Sequence, residues 1–169
     1  MALPVTLDDA KRQLRVLGNV HDAEIEQFIL DAAGWVEEYT GHLLEQREIT
    51  ERFSGFERVR LSAWPVNAGT VVVKASGLPV VGARLHYVSR PATLYPALNT
   101  AWPRLYSGDM VEVTYSAGYA DPADVPRNFR RAMLLLIAAY FDDRSGGEQT
   151  ETAVARAKDL CRSKKRHST

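Results

Sequence analysis

The side chains able to do chemistry in this 169-residue chain are few and scattered. Its four histidines are His21, His42, His86 and His167. None forms a His-x-x-x-His pair or stands at metal spacing from a second ligand type. His21 and His42 fall at the ends of predicted helices, where a polar residue terminates the element. Cys161 is the only cysteine. A serine or cysteine nucleophile needs a base brought close by the fold. Cys161 sits in a basic C-terminal stretch, and no Gly-x-Ser-x-Gly elbow is present. No glycine-rich phosphate loop follows a strand candidate. Glu37-Glu38 and Asp142-Asp143 are paired acids, but neighbours on a helix point about 100° apart and do not converge on one proton or metal. They read as solvated faces. No catalytic, cofactor-binding or metal-binding residue is expected, and the chain is not expected to be an enzyme.

The composition agrees with a globular, non-catalytic part. Hydrophobic residues make up 46% and charged residues 25%, with 21 basic against 21 acidic side chains. That balance excludes a uniformly basic nucleic-acid binder but not a local patch. A single thiol excludes an intramolecular disulfide framework and fits a reducing compartment. The longest nearly apolar run, Met133 to Phe141, is too short to span a bilayer. Met1-Ala-Leu-Pro-Val-Thr-Leu-Asp has no basic and then apolar pattern, so no secretory signal is expected there. The length fits one main core.

The charge is unevenly placed. Residues 1–45 hold three basic and nine acidic side chains, a net of −6. Residues 144–169 hold seven basic and three acidic, a net of +4.

The elements that would carry these residues are legible from periodicity. Thr6 is placed to cap a helix bearing Leu7, Ala10, Leu14 and Leu17 on one face, with a stop at Gly18-Asn19. Asp22 is the next N-cap candidate. Ile25, Phe28, Ile29, Ala32, Ala33, Val36 and Tyr39 then form a long helical stripe closed by Gly41. Gln46 to Phe53, Arg58 to Leu61, Val71 to Lys74, Ala83 to Val88 and Met110 to Tyr115 are strand candidates without helices between them, which implies antiparallel pairing. Ser89 to Ser107 has no clear period and reads as a long ordered loop. Pro126 suits the first turn of a third helix with Phe129, Ala132, Met133, Leu136, Ile137 and Tyr140 inward. Helix is also plausible from Thr150 to Cys161. Two features suit partner contact. One is the basic tail, with Arg156, Lys158, Arg162, Lys164, Lys165 and Arg166. The other is Trp102, an aromatic on the long loop that is either tucked beneath it or offered to a partner.

Several segments taken together carry a resemblance. They are Val5-Thr-Leu-Asp-Asp-Ala-Lys-Arg-Gln-Leu-Arg-Val, Asp22-Ala-Glu-Ile-Glu-Gln-Phe-Ile-Leu-Asp-Ala-Ala-Gly-Trp-Val-Glu-Glu-Tyr-Thr-Gly, Leu61-Ser-Ala-Trp-Pro-Val, Val111-Glu-Val-Thr-Tyr-Ser-Ala-Gly-Tyr and Val125-Pro-Arg-Asn-Phe-Arg-Arg-Ala-Met-Leu-Leu-Leu-Ile-Ala-Ala-Tyr-Phe-Asp-Asp-Arg. In order and separation, over roughly residues 5–144, the chain resembles the head–tail connector (adaptor, head-completion) proteins of long-tailed bacteriophages and related prophage and gene-transfer-agent particles. The resemblance implies a helical bundle with a small antiparallel β insertion, to which this chain adds a basic C-terminal tail, so the expected fold is α+β, mainly α. An adaptor domain over 1–147 would hold helices at about 6–17, 22–40 and 125–143 and a β-rich insertion at about 46–117, with residues 148–169 as a partly helical or disordered tail.

The function implied is a homo-oligomeric ring of about twelve copies. It would sit beneath the portal, extend the DNA channel and give the stopper or tail-completion protein a platform. No cofactor and no membrane are expected; packaged DNA would be near but not specifically bound. The location implied is the virion's head–tail interface, with the host cytoplasm during assembly. The tail is longer and more basic than the short apolar ending expected of the family. A DNA-binding accessory protein acting through that tail is the alternative reading, distinguished by duplex affinity that falls steeply with salt.

Overall fold

The computed structural model describes residues 3–57, 59–143 and 146–165. The chain divides into two compact units, residues 1–45 with 119–169, and residues 46–118.

The first unit is helical. It contains α1 (Leu7–Leu14), α2 (Asp22–Thr40), α3 (Arg127–Asp142) and α4 (Glu148–Cys161). Thr6 and Asp9 close a capping box, each side chain accepting the other's backbone N–H at 3.2 Å. α1 stops at Leu14, a turn before Gly18-Asn19, because Arg15 itself takes the left-handed cap at φ 57°. Asp22 is the first helical residue of α2 rather than its cap. Its carboxylate instead accepts Lys11 Nζ at 2.6 Å and ties α1 to α2. Gly41 ends α2 at φ 67°, a region a side chain rarely adopts, and donates to Glu37 O at 2.7 Å. The shared core is built from Ile25, Ile29, Ala32 and Val36 of α2, Phe129, Met133, Leu136 and Ile137 of α3, and Ala157 and Cys161 of α4.

Asp9 also joins α1 to α3, accepting Arg12 at 2.6 Å and Arg130 at 2.9 Å. Burial pushes its carboxyl up, but the Thr6 N–H, the Arg12 and Thr6 side chains and the Arg130 charge outweigh this and hold it below the usual carboxylate range. A depressed pKa stabilises the fold above the unfolded value of about 4 and ceases to do so as pH falls through the folded value. Asp9→Asn is therefore expected to cost about 1–2 kcal/mol at pH 7. The gap between the two melting curves should close as the pH drops below about 4.

The second unit is all β. It contains β1 (Arg47–Phe53), β2 (Arg60–Leu61), β3 (Val66–Ala75), β4 (Leu78–Pro79), β5 (Arg84–His86), β6 (Ala92–Tyr95) and β7 (Val111–Ala117). One sheet has the order β1-β7-β3-β4 and the other β2-β6-β5, with every pairing antiparallel. On β7, Val111, Val113, Tyr115 and Ala117 alternate into the core with half-buried residues between them. Arg47↔Ala117 to Phe53↔Val111 sets the β1 register. Ser76 and Gly77, both at positive φ, make the two-residue turn between β3 and β4.

The chain is thus not a mainly helical bundle with a small β insertion. Helix accounts for 39% and strand for 23%, in two antiparallel sheets, a mixed α/β fold. Two strands account for the difference. β3 runs through Asn67-Ala-Gly-Thr, which has no apolar alternation because the register shifts between Asn67 and Val72. Thr70 Oγ1 accepts Ser116 N–H at 2.8 Å there and supplies the missing ladder bond. β6 lies inside the segment read as loop, its buried Ala92 and Leu94 flanked by prolines that obscure the period. No described helix is long and apolar enough to cross a membrane.

Candidate functional site

The groups able to titrate or attack are held in structural roles. The His42 ring is buried beside Tyr119, with Nδ1 2.8 Å from its hydroxyl, and edge-on to Phe129 at 5.1 Å between centroids. His21 Nδ1 lies 3.2 Å from Glu24 and its ring meets Phe141 edge-on. His86 is on β5 beside Ser89, and His167 lies outside the described residues. No three His, Cys, Asp or Glu side chains among the described residues are grouped to hold a metal ion.

The paired acids are not simply solvated. Glu37 accepts Leu44 N–H at 2.8 Å, and Asp143 accepts Thr150 N–H at 3.5 Å where α4 begins. A bond from an acid to a backbone amide several residues on leaves no trace in helical spacing.

Cys161 is fully buried on α4, and burial pushes its thiol up to about 11. In the native protein at pH 8 its reaction with a thiol reagent should be about a hundredfold slower than in denaturant. A rapid native reaction would show that α4 does not stay packed.

The described part of the basic tail forms α4 and a single 3-10 turn at Arg162–Lys164. Ala153, Ala157 and Cys161 face the core, while Arg156, Lys158, Arg162, Lys164 and Lys165 are exposed. Three of these cations have different neighbours. Arg156 lines a groove with Leu135, Ala138 and Asp142; Arg162 pairs with Asp159 at 3.0 Å; Lys165 Nζ stands 5.0 Å over the Tyr39 ring. Arg166 lies outside the described residues.

Trp102 is half-buried. Its ring stacks on buried Phe56, centroids 4.3 Å apart and nearly parallel at 7°. This stack anchors the segment Trp102-Pro103-Arg104-Leu105-Tyr106, which walls an open, mainly apolar groove of about 690 Å³. Leu78, Pro79 and Val81 line its other side. Leu78, Val81 and Tyr106 are 71%, 90% and 73% exposed, and Leu98 on the adjoining loop is 70% exposed. So many large apolar side chains around one groove mark an interaction surface rather than scattered surface hydrophobics. Sequence reasoning found Trp102 but not this groove, since its walls come from segments some twenty residues apart.

No protein-family model matches the chain, and no curated protein matches it in sequence. In three dimensions it is similar to chains of gene transfer agent (GTA) particles. One is from the neck of an empty GTA particle, computed with C6 symmetry. It has a TM-score of 0.76 and 21% identity, over 100% of this chain and 94% of that one. Another is from the virion of a native gene transfer agent particle, with a TM-score of 0.74 and 21% identity over the same shares. A third is from the neck of a native GTA particle, computed with C12 symmetry, with a TM-score of 0.73 and 20% identity over the same shares. The fold is shared over all of this chain and 94% of each of those chains.

Proposed function

We propose that this chain is a structural connector of a phage-like particle, a head–tail adaptor. It forms a ring of twelve copies, matching the C12 symmetry of a similar neck. The ring binds beneath the portal, continues the DNA channel and offers a platform to the stopper. It works in the virion, after assembly in the host cytoplasm, and it works by fitting between neighbours rather than by turning over a substrate. The observation that carries this reading is the likeness, over the entire chain, to chains of a particle neck.

The chemistry of the surface supports it. His42 and Cys161 are buried in the helical core, whereas exposed apolar and charged side chains are plentiful. A ring subunit needs two different faces, one for each neighbour. Opposite charge on different parts of one chain suits docking of that kind. The tail cations dock onto the portal in this reading. The alternative, a DNA-binding tail, is less well supported, because two of the cations are already engaged with Asp159 and Tyr39.

The experiment replaces Arg156, Lys158, Arg162, Lys164 and Lys165 together by Glu and compares finished particles. The expected result is loss of the chain from the neck, with heads that lack tails. Unchanged assembly would overturn the docking role of the tail. Absence of the wild-type chain from finished particles would overturn the connector reading itself.

A further inference from the structure

Resting on the ring reading, we infer that the groove beside Trp102 is the subunit–subunit contact, and that its occupant is the outer face of α2 from the next copy. The two surfaces match in chemistry. The groove is apolar and its charged rim is basic. Arg84 and Arg104 are exposed beside it, and neither is in an ion pair among the described residues. The one acid in its wall, Asp109, is engaged by Tyr106 N–H at 2.8 Å. Residues 46–118 as a whole carry eight basic and five acidic side chains, a net of +3.

The outer face of α2 is the counterpart. Glu26, Leu30, Gly34 and Glu38 recur every four residues, so they form one stripe along the helix. All four are exposed, and Leu30 is an unpaired apolar side chain at 57% exposure. Glu26 and Glu38 are in no ion pair among the described residues, and Asp31 beside them accepts only Gln27, at 2.9 Å. A Cβ on Gly34 would meet nothing within 4 Å in this chain. Glycine at mid-helix is costly, so that bare spot is explained if another surface approaches it. An acidic ridge with an apolar centre thus faces a basic-rimmed apolar groove of a different part of the chain. A contact between two unlike patches of identical chains is head-to-tail, and closes into a ring when the rotation allows. Burial of Leu30, Leu78, Val81 and Tyr106 supplies the attraction, and the charges set orientation and register.

The test is cross-linking in finished particles. Leu30→Cys and Val81→Cys are made singly and together, with Cys161 left in place because it is fully buried. Both sites are exposed, and a melting curve for each variant confirms folding. A short bismaleimide is added to the particles and the chains are separated in denaturant. The expected result is a ladder of covalent multimers from the double variant and monomers from each single variant and from wild type. A double variant present in particles but remaining monomeric overturns the proposal while leaving the connector reading intact. So do single variants that give dimers, which would show a like-to-like contact. Absence of the wild-type chain from particles fails at the connector reading, and the proposed contact falls with it.

Discussion

Phe129→Ala should remove about 3–5 kcal/mol of stability from the helical unit. The ring is fully buried on α3, among residues of α2 and α4, and it meets His42 edge-on at 5.1 Å. Truncation takes away its apolar burial and leaves a void between helices whose backbones are held apart by Met133, Leu136 and Ile29. The His42 ring would also lose one wall of its site, exposing a polar group to an unfilled space. Chemical denaturation followed by helical circular dichroism is the measurement. A loss below about 1 kcal/mol would mean that the helices collapse onto the gap. At a typical total stability of about 5–15 kcal/mol, the expected loss is a large share of the whole. Absence of the variant from particles must therefore be read alongside its folding before any role in docking is assigned to α3.

The second large effect concerns the β unit. Glu51 on β1 accepts three bonds, from Ser62 N–H at 2.9 Å, from Ser62 Oγ at 3.1 Å and from the Tyr115 hydroxyl. Tyr115 in turn accepts Ala63 N–H at 3.3 Å. The carboxylate thereby holds the chain leaving β2 against β1 and β7. Burial, then the Glu51 bond, raises the Tyr115 pKa far above the ordinary phenol range, so the hydroxyl remains a donor at any working pH. Glu51→Ala strands the buried Tyr115 hydroxyl and removes two exposed bonds from Ser62, and is expected to cost about 1–3 kcal/mol. Glu51→Gln keeps an acceptor and should cost about half as much. A double-mutant cycle with Tyr115→Phe should show a coupling of at least about 0.5 kcal/mol. Additive effects would show that Tyr115 and Glu51 act separately.

Both effects fall away from the surfaces proposed to meet neighbours, which keeps folding and assembly separable. Substitutions at Leu30, Val81, Arg84 or Arg104 touch exposed positions and should leave the melting curve nearly unchanged. A defect in particles at those positions would therefore report on contact between copies.

How much of this was legible beforehand follows from the range of each interaction. The inward stripes of α2 and α3 were readable because 3.6-residue periodicity is a local property, and Ile25, Val36, Phe129 and Ile137 are buried where that period puts them. The capping box of Thr6 was half visible for the same reason. β7 was readable from alternation. Of β3 only Val71 to Lys74 was legible; its irregular first half was not, because that stretch is repaired by a bond from distant Ser116 to Thr70. β6 was hidden among prolines, and its pairing with β2 and β5 comes from outside the segment. The weight of β structure was underestimated as a consequence.

The same division applies to the surfaces. By itself the sequence determined the separation of acidic front from basic tail, the lack of spaced catalytic or ligand motifs, and the inward faces of the main helices, since each depends on residue type or on neighbours a few positions away. Only the tertiary structure decided that Trp102 stacks on Phe56, that Lys165 stands over Tyr39, and that Leu78, Val81 and Tyr106 share a groove. Those facts rest on contacts between segments distant along the chain, whose pairing is settled by burying apolar area across the whole unit rather than by any local pattern.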